Sequence, residues 1–411
     1  MKLGKVAKIV ALAATMSSLS AMAADDSIEM MTSWTSGGEA AALNVYRSQF
    51  EKDGGSWVDS SIAGFGAADA AFLNRVVAGQ PPSAKQTPIG EAAAEYVDQG
   101  ILNNLNAVAD KQDWKSVLPK SIYDLITYDG DVYLAPTGAH GESWMFYSKA
   151  AFSKADVDVS QIHSWDDLFI VLDKLKASGI IPVAWGGQSW QEGTVFNMIL
   201  LSQVGQQGYM DIYKGKKDSQ ELKDGVKKAL AIYRKLSEYD DEGSPGRNWN
   251  DATAMVISGK AAIQFVGDFA KGEFTHAGLE LGKDFGCSLV PETKSMVYIA
   301  DSIAFPVVES GSITPGQSHL ASIVMDASKQ VEFSLKKGSI PVRLDVDTSK
   351  LDACSQQGLT LMNNNEIVPD YGLLITPEQK GNVTDLADNF WVNTSTSVDE
   401  ATENFFSILK Y

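Results

Sequence analysis

The chain has 411 residues, 44% of them hydrophobic, with 52 acidic against 34 basic side chains and a formal net charge of −18. That length suits two domains, and so acidic a surface repels phosphate backbones, which argues against nucleic acid as a partner. Of the four histidines no two stand at helical ligand spacing, and there is neither a phosphate-cradling loop nor a dinucleotide fingerprint, so no metal and no cofactor is expected.

The first 23 residues read as a secretion signal: Lys2, Lys5 and Lys8 form a positive region, Ile9 to Leu19 an apolar stretch, and Ala21-Met22-Ala23 a small-residue cleavage site. Cutting after Ala23 leaves 388 residues and removes three lysines, which takes the charge from −18 to −21. No Cys follows the cut, so a lipid anchor is not expected, and no other apolar run approaches the ~20 residues a bilayer requires. The expected product is exported and soluble.

Residues 28–31 read as a strand, and Leu43, Tyr46 and Phe50 recur at the spacing of a helix face. Between them lies Trp34, followed by Gly37-Gly38 and Glu39. Residues 58–63 read as a second strand, leading into a helix through Phe72, Val76 and Val77 that Gly79 stops. Pro81-Pro82 then forces extended chain before Lys85-Gln86. Asp129-Gly130 predicts a hairpin over 128–133. Ser164-Trp165-Asp166-Asp167 resembles a helix cap, with Leu168, Val171, Leu172 and Leu175 following at helical period. Residues 219–239 form a second amphipathic helix. Residues 261–266 read as a strand ending in Gly267-Asp268-Phe269, and 309–316 as a surface loop. The alternation of the two periods predicts an α/β architecture.

Two cysteines are present, Cys287 and Cys354. In an oxidising compartment they read as a pair, and two buried thiols are the alternative.

The chemistry concentrates at a recurring type of junction, where a planar or charged side chain follows a strand and precedes a glycine or a helix. These are Trp34 with Glu39, Lys85-Gln86, His140, Gln188-Ser189-Trp190, Asn248-Trp249-Asn250, Asp268-Phe269, Asp301-Ser302 and Lys337. In open α/β sheets ligands bind beyond the carboxyl ends of strands, so such residues converge even when distant in sequence. The residue types fit a neutral polyol. An aromatic face stacks on the apolar side of a sugar ring, while carboxylates and amides hydrogen-bond its hydroxyls, at roughly 1 kcal/mol net each. Plainer readings stand beside this. Trp34, Trp190 and Trp249 serve equally as core, a helix dipole favours Glu39 without any ligand, Asp268 can simply cap a helix, and Lys337 beside Lys336 can be surface charge. Asp301, in an apolar run, is the hardest to explain without a partner.

The segments "TSWTSGGEA", "RVVAGQPPSAKQ", "APTGAHGESWMFYSKAAF", "GRNWNDATAMVISGKAAIQFVGDFAKGEF" and "KKGSIPVR" together resemble the extracellular solute-binding proteins of bacterial sugar ABC transporters, above all the glucose/mannose-type periplasmic binding proteins. The resemblance runs over the whole mature chain. It implies a two-lobe, Venus-flytrap fold of the type II kind with hinge crossings, an N-lobe of 24–137 plus 302–342 and a C-lobe of 138–301 plus 343–411. It also implies a Cys287–Cys354 disulfide, and it matches Trp34, Glu39, Asp301 and Lys337 to sugar-binding positions. Phe269 stands where a Trp is usual, and His140, Gln188 and Trp249 lie in matching segments. Departures occur at Ser33, where a tandem Trp is common, at Thr87-Pro88 after Gln86, and near Tyr371-Gly372-Leu373, where a His is expected. Losing those anchors should weaken glucose, because a polar pocket discriminates through groups left unpaired.

The expectation is a periplasmic, monomeric, non-enzymatic receptor that delivers a sugar to an ABC permease. The ligand set is Trp34, Glu39, Gln86, His140, Gln188, Trp190, Trp249, Asp268, Phe269, Asp301 and Lys337. The alternatives are a secreted carbohydrate-active enzyme using a carboxylate pair such as Glu39 with Asp301, and a sugar sensor for chemotaxis.

Overall fold

The computed structural model describes residues 26–215, 219–308 and 311–410. The expected secretion signal and cleavage site lie outside the described residues, as do positions 309 and 310 of the expected surface loop. Among the described residues twelve strands run in chain order: β1 (Ser27–Thr32), β2 (Ser56–Ser61), β3 (Ala84–Pro88), β4 (Thr127–Tyr128), β5 (Asp131–Val132), β6 (Leu134–Gly141), β7 (Trp144–Ser148), β8 (Ile181–Val183), β9 (Ala261–Val266), β10 (Phe285–Leu289), β11 (Met296–Ala304) and β12 (Ile367–Pro369). Helices fill the intervals, giving the α/β alternation that the periodicity predicts.

The strands form two principal sheets. In the first, β1 lies between β2 and β3 and is parallel to both. β11 joins antiparallel to β3 and β6, and its Met296 end pairs with β12. The second sheet has the order β10-β7-β9-β8, with β7 antiparallel to both neighbours. Each sheet buries its own apolar core. Met30, Tyr46, Phe72, Ile303 and Phe333 belong to the first. Leu172, Phe196, Ile263 and Trp391 fill one face of the second, and Phe146, Phe274 and Phe285 the other. Two cores define two lobes. Three extended segments run between them side by side, since β6 pairs with β11 and Ala139 exchanges backbone hydrogen bonds of 2.8 Å with Ile340.

Local chemistry accounts for the element ends. Ser164 caps the helix Trp165–Ala177, and Asp167 returns the bond to the Ser164 N–H. Asp129 and Gly130 take φ of 50° and 92°, the left-handed pair that a tight hairpin between β4 and β5 requires. The second strand begins two residues before the expected position, because pairing with β1 starts at Ser27 opposite Ser56. Cys287 on β10 and Cys354 on the helix Ala353–Asn363 are disulfide-bonded, with 6.4 Å between their Cα atoms. Among the described residues no helix is long and apolar enough to cross a membrane.

Candidate functional site

The turn after β1 is built by its own side chains. Thr32 Oγ1 accepts from the Trp34 N–H at 3.0 Å, and Ser36 caps the helix Gly37–Lys52 with Glu39 completing the capping box. Glu39 Oε2 accepts from the N–H groups of Thr35 and Ser36 at 3.1 and 3.3 Å. Its other oxygen lies 3.0 Å from Lys337 Nζ. Lys337 ends the helix Ala327–Lys337, which Gly338 terminates at φ 86°. The buried Lys337 ammonium stands 5.2 Å from the centre of the Trp34 ring and 5.3 Å from that of Phe269, within cation–π range of both. Trp34 itself is buried and tilts onto Phe333 with centroids 5.5 Å apart.

A second group forms where β6, β9 and β11 meet. Asp268, just after β9, lies 2.6 Å from His140 Nδ1 and accepts the Gly141 N–H through its other oxygen at 3.0 Å. His140 Nε2 is 3.4 Å from Asp301, which sits at the irregularity in the β6–β11 pairing. Gln86 donates to Asp301 at 3.3 Å and accepts from the Ser33 hydroxyl at 2.9 Å. Burial draws the His140 pKa down, but Asp268 first and Asp301 next outweigh it and raise the group to about 9. The imidazole is therefore a cation at neutral pH. Burial pushes Asp301 up, yet His140, Lys337 and Gln86 together hold its carboxyl below the usual range.

Aromatic rings cover this polar floor. Phe269 meets the edges of His140 at 5.7 Å and Trp249 at 4.9 Å, and lies 6.2 Å from Trp190. Gln188 accepts the Trp190 indole N–H at 3.2 Å and donates to Asn248 at 2.9 Å. Trp190 is 40% exposed, the most open ring of the group.

All eleven expected residues thus form one continuous chain of contacts. Trp34 and Glu39 meet Lys337, Lys337 meets Phe269, and Phe269 joins His140, Trp190 and Trp249. His140 leads on to Asp268, Asp301 and Gln86, and Trp190 to Gln188. Lys85 is not among them. Strand alternation sends it to the opposite face of β3, where it pairs with Asp69 at 3.0 Å under Phe72 and Tyr96. Nor do Gly37 and Gly38 face open space, since the helix Ala270–His276 packs onto them. Sequence reasoning missed Ser33 as a partner of Gln86, and also Glu273, whose carboxylate receives the Gly38 N–H at 2.7 Å. Glu273 follows Phe269 by one helical turn, but nothing in the local pattern points 235 residues back. Glu142 is likewise unexpected. It is buried beside Asp370, its Oε2 has no hydrogen-bond partner, and burial with that neighbouring carboxylate raises its pKa to about 8.

Comparison with known proteins bears on what this arrangement is. Residues 24–310 match the family of bacterial extracellular solute-binding proteins. A probable sugar-binding periplasmic protein of Brucella melitensis is 39% identical over 335 residues, 81% of this chain and 78% of that one. One of the same description from Rhizobium meliloti is 38% identical over 352 residues, 85% of this chain and 84% of the other. The solved structure of the bacterial solute receptor AcbH, described as having an exclusive preference for β-D-galactopyranose, superposes with a TM-score of 0.76 at 17% identity, covering 93% of this chain and 97% of that one, a likeness of fold. With the family match spanning most of the chain and the relatives aligned along four-fifths of it, this chain belongs to the bacterial extracellular solute-binding proteins.

Proposed function

We propose that the chain is a periplasmic receptor that closes on a sugar between its lobes and hands it, as a monomer and unchanged, to the permease of an ABC importer. The lobes are taken as 24–137 plus 302–342 and 138–301 plus 343–411, with the paired crossings at β6, β11 and Ile340 as the hinge. The observation that carries the reading is the contact of Lys337, on a helix packed in the first core, with Phe269, from the edge of the second. Polar side chains and indole rings stand on both sides of that contact, Glu39 with Trp34 at Lys337 and Gln188 with Trp190 beside Phe269. Carboxylate and amide oxygens, an ammonium and ring faces together are what vicinal hydroxyls and an apolar sugar face require. The names of the Brucella and Rhizobium relatives support the ligand class. A bound sugar favours closure only through its differential affinity for the closed form.

The hydrolase alternative built on Glu39 with Asp301 gains no support from the geometry. Glycoside hydrolysis needs one carboxylic acid kept protonated beside a free carboxylate. Here Glu39 is tied to Lys337, and Asp301 is held ionised beside His140. The test is calorimetric titration of the chain lacking residues 1–23 with a panel of mono- and disaccharides, followed by mass analysis after long incubation. Heat of binding with unchanged sugar is expected. A new product, or no heat with any sugar, would overturn the proposal.

A further inference from the structure

The helix Ala270–His276 belongs to the second core, through Ala270 and Phe274. Lys271 binds it further to that side, at 3.1 Å from Asp352 on the cap of the helix Ala353–Asn363. Yet its Glu273 reaches across to the first lobe and accepts the Gly38 N–H at 2.7 Å. Gly38 is the second residue of the helix Gly37–Lys52, so its N–H has no partner within that helix. The capping groups nearby are already engaged. Ser36 accepts the Glu39 N–H, and the Glu39 carboxylate is divided between Thr35, Ser36 and Lys337. Glu273 therefore supplies the acceptor that the Gly38 N–H lacks, and adds a second carboxylate beside that of Glu39 at the end where the helix dipole favours it.

The approach is possible only because side chains are missing. A Cβ on Gly38 would lie 2.6 Å from the Gly272 carbonyl carbon, one on Gly37 2.5 Å from the His276 ring, and one on Gly272 2.7 Å from the Lys336 carbonyl oxygen. The three glycines thus let the helix Ala270–His276 lie against the start of the helix Gly37–Lys52 and the end of the helix Ala327–Lys337 at once. Asp268 and Phe269 immediately precede this helix, so the contact that seats Glu273 also fixes where they stand against Lys337.

We propose that Glu273 is a positioning residue that latches the lobes shut without touching ligand, and that it sets how much of the receptor is closed before any sugar arrives. The inference rests on the hinged two-lobe reading of the function. The mechanism is a population shift. A contact present only in the closed state raises its share, and apparent affinity scales with the binding-competent fraction.

The experiment is a ligand-free distance measurement on the chain lacking residues 1–23, carrying spin labels at Val77→Cys and Ile170→Cys. These two positions are 89% and 58% exposed and sit on opposite lobes, while the native cysteines are consumed in their disulfide. Glu273→Ala is expected to raise the population at a second, open distance at least fivefold. Gly38→Ala should do the same by steric exclusion. Glu273→Gln, which keeps an acceptor oxygen without the charge, should give an intermediate rise, and it decides the matter if the alanine variant does not fold. Identical distance distributions for wild type and the folded Glu273 variants would overturn the latch, as would a rise seen only with Gly38→Ala. No sugar enters the measurement, so failure of the latch and failure of sugar capture are read separately.

Discussion

His140 Nδ1 and the Asp268 carboxylate stand 2.6 Å apart, buried, although 128 residues separate them in the chain. The pair joins a hinge-crossing strand to the end of the second lobe's sheet, and it keeps a positive charge where solvent cannot reach. Its consequence is measurable as a pH dependence. The folded His140 binds its proton up to about pH 9, against about 6.5 in the unfolded chain. The stabilisation is thus complete below pH 6.5 and is lost as pH rises through 9. Urea titrations between pH 6 and 10 should show stability falling, and His140→Gln should remove that part of the slope.

Glu142 acts in the same direction by a different route. Its carboxyl ionises near 8 in the folded protein and at its ordinary 4.5 when unfolded, so a penalty accumulates between those values as pH rises. Glu142→Gln should therefore raise the unfolding free energy at pH 9 and leave it nearly unchanged at pH 4. A variant less stable than wild type at pH 9 would contradict the assignment.

Lys337 neutralises Glu39 in a buried setting. Lys337→Met strands that carboxylate, and breaking a buried pair from one side costs about 3–5 kcal/mol. Adding Glu39→Gln should recover much of the loss, which chemical denaturation of the single and double variants will read.

Two tryptophans should part company. Trp34 is 4% exposed and packed on Phe333, so Trp34→Ala is expected to destabilise by about 3–5 kcal/mol. Its effect on sugar affinity is then inseparable from folding. Trp190 is open to solvent, and Trp190→Ala should leave the melting temperature nearly unchanged while lowering affinity about tenfold, as truncation of an aromatic anchor does. Calorimetry alongside thermal melts distinguishes the two.

The disulfide closes a stretch of 67 residues. Cys354→Ser should lower stability by about 2–4 kcal/mol, with wild type falling to the same level under reductant.

Much of the fold was legible wherever the signal is local. Leu43, Tyr46 and Phe50 mark the buried stripe of a real helix, and Asp129-Gly130 a real turn. β11 was not legible, because its nine residues pair with β3, β6 and β12 from distant parts of the chain. The residues of the site were nameable by type and junction, but their partners were not. Trp34 reads as a stacking plate in sequence and sits in a core in space. Lys85 and Gln86 are neighbours that point to opposite faces. Glu273 meets Gly38 only after both lobes have folded.

The long reach of β11 has a further consequence. The first sheet lacks a strand until residue 304 exists, since Ser302 pairs with Thr87 and Ile303 with Gln86. Contacts so remote in sequence make folding slow. Until they form, the β3 edge that faces β11 has no partner, and an unpaired edge is open to pairing with another chain.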